Sequence, residues 1–221
     1  MSNTVLFDLD GTLIDHFSVL FRCYDHTLTR LERPIPSAET VRRSVGGSME
    51  VTMSKFVPEG QIQEAAQIWR THFDKIFLEE ITLLPGAVDI IQQLHVKGTK
   101  LAVFTNKIGS YSRAICQHLK IAPYLSLILG ADDTPFRKPD REFSQLALDR
   151  LGTTSENACL IGDSPFDIKS AQTVGMKSYC VTTGTHSREE LSQDDPDGIF
   201  HSLPELAEAV FDLTLPLSSA V

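Results

Sequence analysis

Five short apolar runs, at residues 4–7, 101–104, 125–129, 158–161 and 178–181, recur along the chain, and amphipathic stretches of helical period separate most of them. No other feature narrows the fold as much. Runs that are apolar at nearly every residue suit strands buried on both faces, which is how a parallel sheet lies between layers of helices. In residues 87–96, Val88, Ile91, Leu94 and His95 fall near one helical face; in 143–151, Phe143, Leu146, Ala147 and Leu151 do the same. The expected fold class is α/β: a Rossmann-like parallel sheet with helices on both faces.

The alternation breaks after the first run. From about residue 15 to residue 81 the pattern is helical, without a convincing strand. Phe17, Leu20, Phe21, Tyr24 and Leu28 make one apolar face, and Ile62, Ala65, Ala66, Trp69 and Phe73 make another. Leu84-Pro85-Gly86 reads as a turn back into the sheet. The expected organisation is a core of residues 1–14 and 83–221 interrupted by an all-helical insertion, 15–82. At 221 residues the chain has room for both.

Charge and composition narrow the function classes. A formal net charge of −9 argues against nucleic acid or an anionic membrane as partner. No apolar stretch is long enough to span a bilayer, and the N-terminus lacks the basic and apolar regions of a signal peptide. Cys23, Cys116, Cys159 and Cys180 form no C-x-x-C pair and read as buried free thiols, so a cytoplasmic location is expected. The scattered histidines offer no zinc-binding spacing.

In parallel α/β sheets ligands bind beyond the carboxyl ends of the strands. Asp8 and Asp10 follow the first run, Thr105 and Asn106 the second, Arg137 and Lys138 the third by way of a loop, and Asp163, Ser164 and Asp167 the fourth. Four carboxylates gathered at one edge repel one another unless a cation sits among them, and hard oxygen donors suit Mg2+. Magnesium, a lysine and a threonine hydroxyl can together neutralise a phosphoryl group. Asp8 can attack phosphorus as a carboxylate nucleophile, and Asp10 can protonate the leaving oxygen and then activate water. Gly11 lets the chain turn sharply beside the ligand.

FDLDGT, FTN, the Lys-Pro of RKPD, and GDSPFD stand in this order at the strand ends. They resemble the four motifs of the haloacid dehalogenase superfamily over nearly the whole chain, and the helical insertion resembles that family's α-helical cap. Leu84-Pro85-Gly86, Val45-Gly46-Gly47 and Lys138-Pro139 before a helix resemble the phosphoglycolate phosphatase group. The resemblance implies an Mg2+-dependent phosphatase of a small phosphorylated metabolite, working through an aspartyl-phosphate. It implies Asp8 as nucleophile, Asp10 as general acid/base, Thr105 and Lys138 on the phosphoryl oxygens, and metal ligation by Asp8, the Asp10 carbonyl and Asp163, with Asp167 beside them. Asp140-Arg141-Glu142 after Lys-Pro and Ile108-Gly109 after the second motif depart from the family's common continuations.

Several positions admit two readings. Asn106 lines the site or serves a turn; Asp167 helps hold the metal or caps the following helix. Gly46 and Gly47 belong to a substrate-contacting cap loop or to a plain interhelical turn. Arg42 and Arg43 touch substrate or form a solvated face, and His186 reaches the rim or is merely exposed. On the same scaffold a sugar-phosphate phosphomutase, an inorganic pyrophosphatase or a non-catalytic phospho-acceptor are the alternatives. The expected assembly is a monomer or homodimer.

Overall fold

The computed structural model describes residues 3–45 and 49–215. In chain order the elements are β1 (Thr4–Phe7), β2 (Ile14–Asp15), α1 (Phe17–Arg30), α2 (Ala38–Arg42), α3 (Met49–Met53), α4 (Ile62–Ile76), β3 (Thr82–Leu83), α5 (Ala87–Val96) and β4 (Lys100–Phe104). They continue with α6 (Gly109–His118), β5 (Leu127–Leu129), α7 (Arg141–Leu151), β6 (Ala158–Gly162), α8 (Pro165–Val174), β7 (Lys177–Val181), α9 (Arg188–Ser192), β8 (Gly198–Phe200) and α10 (Leu203–Phe211). The chain divides into two compact units, Met1–Ile14 with Leu83–Val221, and Asp15–Thr82.

The first unit is built on a six-stranded sheet in the order β5-β4-β1-β6-β7-β8. Its strands pair in parallel throughout, so the α/β expectation holds. Successive strands run outward from β1 in one direction to β5 and in the other to β8. That reversal opens a crevice at the carboxyl end of β1. Phe7 lies opposite Val103 on one side and Ile161 on the other, and the Asp8 N–H donates to the Ile161 carbonyl at 2.8 Å. This register brings the ends of β1, β4 and β6 to nearly one level.

One face of the sheet is filled by Leu6, Phe104, Leu129 and Leu160 against Phe143, Ala147, Leu148 and Leu151 of α7. The Phe104 and Phe143 rings stack at 4.5 Å between centroids. Each of these leucine and phenylalanine side chains contributes ~1.5–3 kcal/mol on burial, so the strands beneath the crevice rest on a well-packed layer. Helix α5 buries Ala87, Ile90, Ile91 and Leu94. This corrects the face read from the sequence: the apolar stripe starts one residue earlier, and His95 is exposed.

The second unit is helical. Helices α1 and α4 bury Leu20, Tyr24 and Leu28, and Ala65, Trp69 and Phe73, at the spacing of a helical stripe. The Trp69 and Phe73 rings stack at 4.6 Å, and His26 stacks on His72 at 4.0 Å. The Arg42 guanidinium lies 4.4 Å from the centre of the Phe17 ring, which gives it a packing role inside this unit.

All four cysteines are free and buried: Cys23 in α1, Cys116 in α6, Cys159 in β6 and Cys180 in β7. Among the described residues no helix is long and apolar enough to cross a membrane.

Candidate active site

The site begins where β1 ends. Asp8 stands one residue past the strand, and the chain then turns tightly: the Leu9 carbonyl accepts from the N–H groups of Thr12, Leu13 and Ile14. Gly11 makes the turn with φ +81°, in the left-handed region that suits glycine.

Lys138 arrives from the loop between β5 and α7 and is buried with Asp8, Asp163 and Asp167. Its ammonium donates to Asp8 Oδ1 at 2.7 Å and to Asp167 Oδ1 at 2.6 Å. Asn106, beyond β4, fixes the backbone of that lysine. Its Oδ1 accepts from the Lys138 N–H at 2.8 Å, and its Nδ2 donates to the Lys138 carbonyl at 3.1 Å. The side chain expected either to line the site or to serve a turn thus brackets the lysine. Thr105 is buried beside it, and its Oγ1 accepts from the Lys107 N–H at 3.2 Å.

The contacts of Asp167 match its capping reading and add a lysine partner. Its Oδ2 accepts from the Ser164 N–H at 3.1 Å and from Ser164 Oγ at 2.7 Å, forming a capping box at the start of α8. Its Oδ1 faces the lysine. Asp163 is held by the loop after β7: Thr185 donates to Asp163 Oδ2 through its N–H at 2.7 Å and its Oγ1 at 3.0 Å. Thr185 Oγ1 also lies 2.7 Å from His186 Nδ1, so His186 touches the residue that holds Asp163.

Two glycines let this loop come close. A Cβ on Gly184 would overlap the Asp163 carboxylate, and one on Gly11 would sit 2.7 Å from Gly184 Cα. Thr183 Oγ1 ties the loop to the β1 turn by donating to the Gly11 carbonyl at 2.7 Å.

Asp10 looks elsewhere. Its carboxylate receives Lys107 Nζ at 2.8 Å on Oδ2 and 3.2 Å on Oδ1. Lys107, Thr185 and the bracketing role of Asn106 are absent from the sequence reading. The strand-end rule applied to β7 would have found Thr185. Lys107 carries no local signal, since its partner lies 97 residues away. Gly46 and Gly47 lie outside the described residues.

The electrostatics around Asp8 are unbalanced. Asp8, Asp163 and Asp167 offer oxygens within 4.8 Å of one another, and the Lys138 ammonium sits among them. Burial first, then Asp167 and Asp10, push the Asp8 carboxyl up to about 6 against the opposing pull of Lys138. Burial, then Asp8 and Asp167, raise Asp163 well above the usual carboxylate range. Burial pulls the Lys138 ammonium down, but the two carboxylates outweigh it and hold it above its ordinary value. Three carboxylates against one ammonium leave an excess of negative charge in a buried, oxygen-only donor set. That fits a hard divalent cation.

The chain matches the family model of haloacid dehalogenase-like hydrolases over residues 5–181. It is 33% identical to a phosphoglycolate phosphatase of Salmonella typhi, covering 93% of this chain and 91% of the relative. A phosphoglycolate phosphatase of Escherichia coli K12 is 30% identical over the same shares. A haloacid dehalogenase-like family hydrolase from Streptococcus pneumoniae superposes with a TM-score of 0.87 at 27% identity, covering 95% of this chain and 98% of that one.

Proposed function

Because the chain belongs to the haloacid dehalogenase-like hydrolase family and is a phosphatase like its relatives, we propose that it hydrolyses a small phosphomonoester of the phosphoglycolate class through an aspartyl-phosphate, with Mg2+ as cofactor. The observation that carries this reading is the buried trio of Asp8, Asp163 and Asp167 around Lys138. It combines a nucleophile at a strand tip, a fixed cation and a place for a divalent ion.

In this reading an Asp8 oxygen forms a bond to phosphorus as the ester P–O bond breaks. The electron pair leaves with the ester oxygen, which takes the proton that Asp10 carries into this step as a neutral acid. Asp10 then takes a proton from water as the water oxygen bonds to phosphorus and the Asp8–phosphorus bond breaks. Inorganic phosphate and free Asp8 result. Lys138 and the Thr105 hydroxyl hold phosphoryl oxygens, and Asn106 keeps Lys138 in place by its backbone.

Magnesium, held by Asp8, the Asp10 carbonyl and Asp163, would neutralise phosphoryl oxygens as a Lewis acid. Asp167 has one oxygen on Lys138 and the other on Ser164, so its proposed part is to orient the lysine and shape the metal site. The insertion 15–82 takes the part of the cap that discriminates among substrates. Four buried free thiols support a cytoplasmic setting.

The test is phosphate release from 2-phosphoglycolate, sugar phosphates, nucleotides, pyrophosphate and p-nitrophenyl phosphate, with magnesium and with excess EDTA. Magnesium-dependent release from a small phosphomonoester is expected. Full activity in EDTA, or no release from any of these, would overturn the proposal.

A further inference from the structure

We propose that Lys107 is a positioning residue for Asp10, fixing the rotation of the acid/base carboxylate that serves the leaving oxygen and then the attacking water. The inference rests on the assignment of Asp10 as acid/base made above.

The backbone on both sides is already fixed. Asp10 sits in the tight turn after β1, where the Gly11 N–H donates to the Ile14 carbonyl at 2.9 Å. Lys107 is anchored by its N–H on Thr105 Oγ1 and by its carbonyl, which accepts from the Ala131 N–H at 3.1 Å. What the backbone leaves open is the side-chain rotation of Asp10. An ammonium spanning both carboxylate oxygens settles it, because any other rotamer would break two charge-assisted hydrogen bonds.

The pair is also sheltered. The Lys107 side chain is 8% exposed and that of Asp10 15%, so this contact is not one of the surface ion pairs that contribute little. The site thus holds two lysines with separate duties. Lys138 faces Asp8 and Asp167, where phosphorus is to bind; Lys107 faces Asp10. A lysine acting only through Asp10 affects proton transfer and leaves phosphoryl binding alone.

The experiment compares Lys107→Met and Lys107→Arg, each alone and combined with Asp10→Asn, using 2-phosphoglycolate and p-nitrophenyl phosphate. Inorganic phosphate as competitive inhibitor reports binding, and thermal melts report folding. Lys107→Met should lower kcat on 2-phosphoglycolate about 10- to 100-fold, the scale of a misplaced catalytic group, while the inhibition constant of phosphate stays unchanged. Its kcat/KM on p-nitrophenyl phosphate, whose leaving group needs little protonation, should fall less. Lys107→Arg should recover part of the loss. In the Asp10→Asn background Lys107→Met should change the residual rate by less than about threefold, since interacting residues are non-additive.

Multiplying losses in the double variant, or a phosphate inhibition constant that rises with the loss, would overturn the inference. So would a Lys107→Met enzyme as fast as the parent while Asp10→Asn is inactive, an outcome that leaves the acid/base reading standing. An active Asp10→Asn enzyme would instead remove that reading and this inference with it.

Discussion

Asp8 and Asp10 are two residues apart, yet their surroundings are opposites. Asp8 shares one lysine with Asp167 and faces Asp163 as well, so its pocket holds more negative charge than positive. Asp10 has a lysine gripping both of its oxygens. One half of the crevice is built short of cations and the other is balanced. The difference teaches how a single turn can supply two carboxylates for two tasks. In the proposed mechanism the unmet negative charge around Asp8 draws a metal and a phosphoryl group to it, whereas the balanced carboxylate of Asp10 can be aimed and kept out of that competition.

The sharpest way to break this contrast is Asp8→Asn. It should lower kcat by about 10⁴-fold or more, as loss of a nucleophile does in covalent catalysis. An Asp8→Asn enzyme within tenfold of the parent would end the assignment of roles. Next comes Gly184→Ala, which puts a methyl group where the Asp163 carboxylate now lies. Displacing that carboxylate by about 1 Å should cost roughly 10²-fold in kcat/KM. Unchanged kinetics would mean that the loop after β7 plays no part in the site.

Thr185→Val removes the hydroxyl donor to Asp163 and keeps the backbone one. The magnesium concentration for half-maximal activity should rise about tenfold, the usual effect of losing a group that orients a ligand. An unshifted magnesium curve would count against Asp163 as a ligand.

The smallest effect concerns stability without metal. Asp8, raised from 3.8 to about 6, holds its proton more tightly folded than unfolded. Its contribution to stability is therefore fully present below about pH 4 and is lost as pH rises through 6. Asp163 is raised too and acts with the same sign. The Tm of the metal-free protein should fall between pH 5 and pH 7 on this account. In Asp8→Asn the fall should be smaller, leaving that variant higher by roughly 5 °C at pH 7. A metal-free Asp8→Asn protein that melts below the parent at pH 7 would show that the cluster is not under strain.

Much of this crevice was legible because its residues stand directly after buried runs. Apolar strands broken by Asp8, Thr105 and Asp163 announce both the sheet and the edge where the candidate site lies. Ser164 and Asp167 carry a capping signature in the sequence itself. What escaped was set by distance or by size. Lys107 looks like any surface lysine until the fold brings Asp10 to it. Strand β8 has three residues, all only partly buried at the sheet's edge, so it shows no apolar run. Leu125 extends the β5 run on paper across Ser126, but a short 3-10 turn, Ala122–Tyr124, precedes it and the strand begins only at Leu127. Period alone puts His95 on the apolar face, but burial on α5 follows the neighbouring stripe.

The buried thiols give the molecule a built-in gauge of its own breathing. Burial pushes Cys116 up to about 12, and burial together with Asp167 and Asp163 raises Cys180 as well. Those two thiols hold almost no thiolate near neutrality, and at all four buried positions a thiol reagent must wait for a local opening before it can react. Cys23 belongs to the helical unit and the other three to the sheet unit. The rate at which each cysteine is labelled therefore times the opening of its own unit, and a ligand that quietens one unit but not the other will be seen as slowed labelling of that unit's thiols alone.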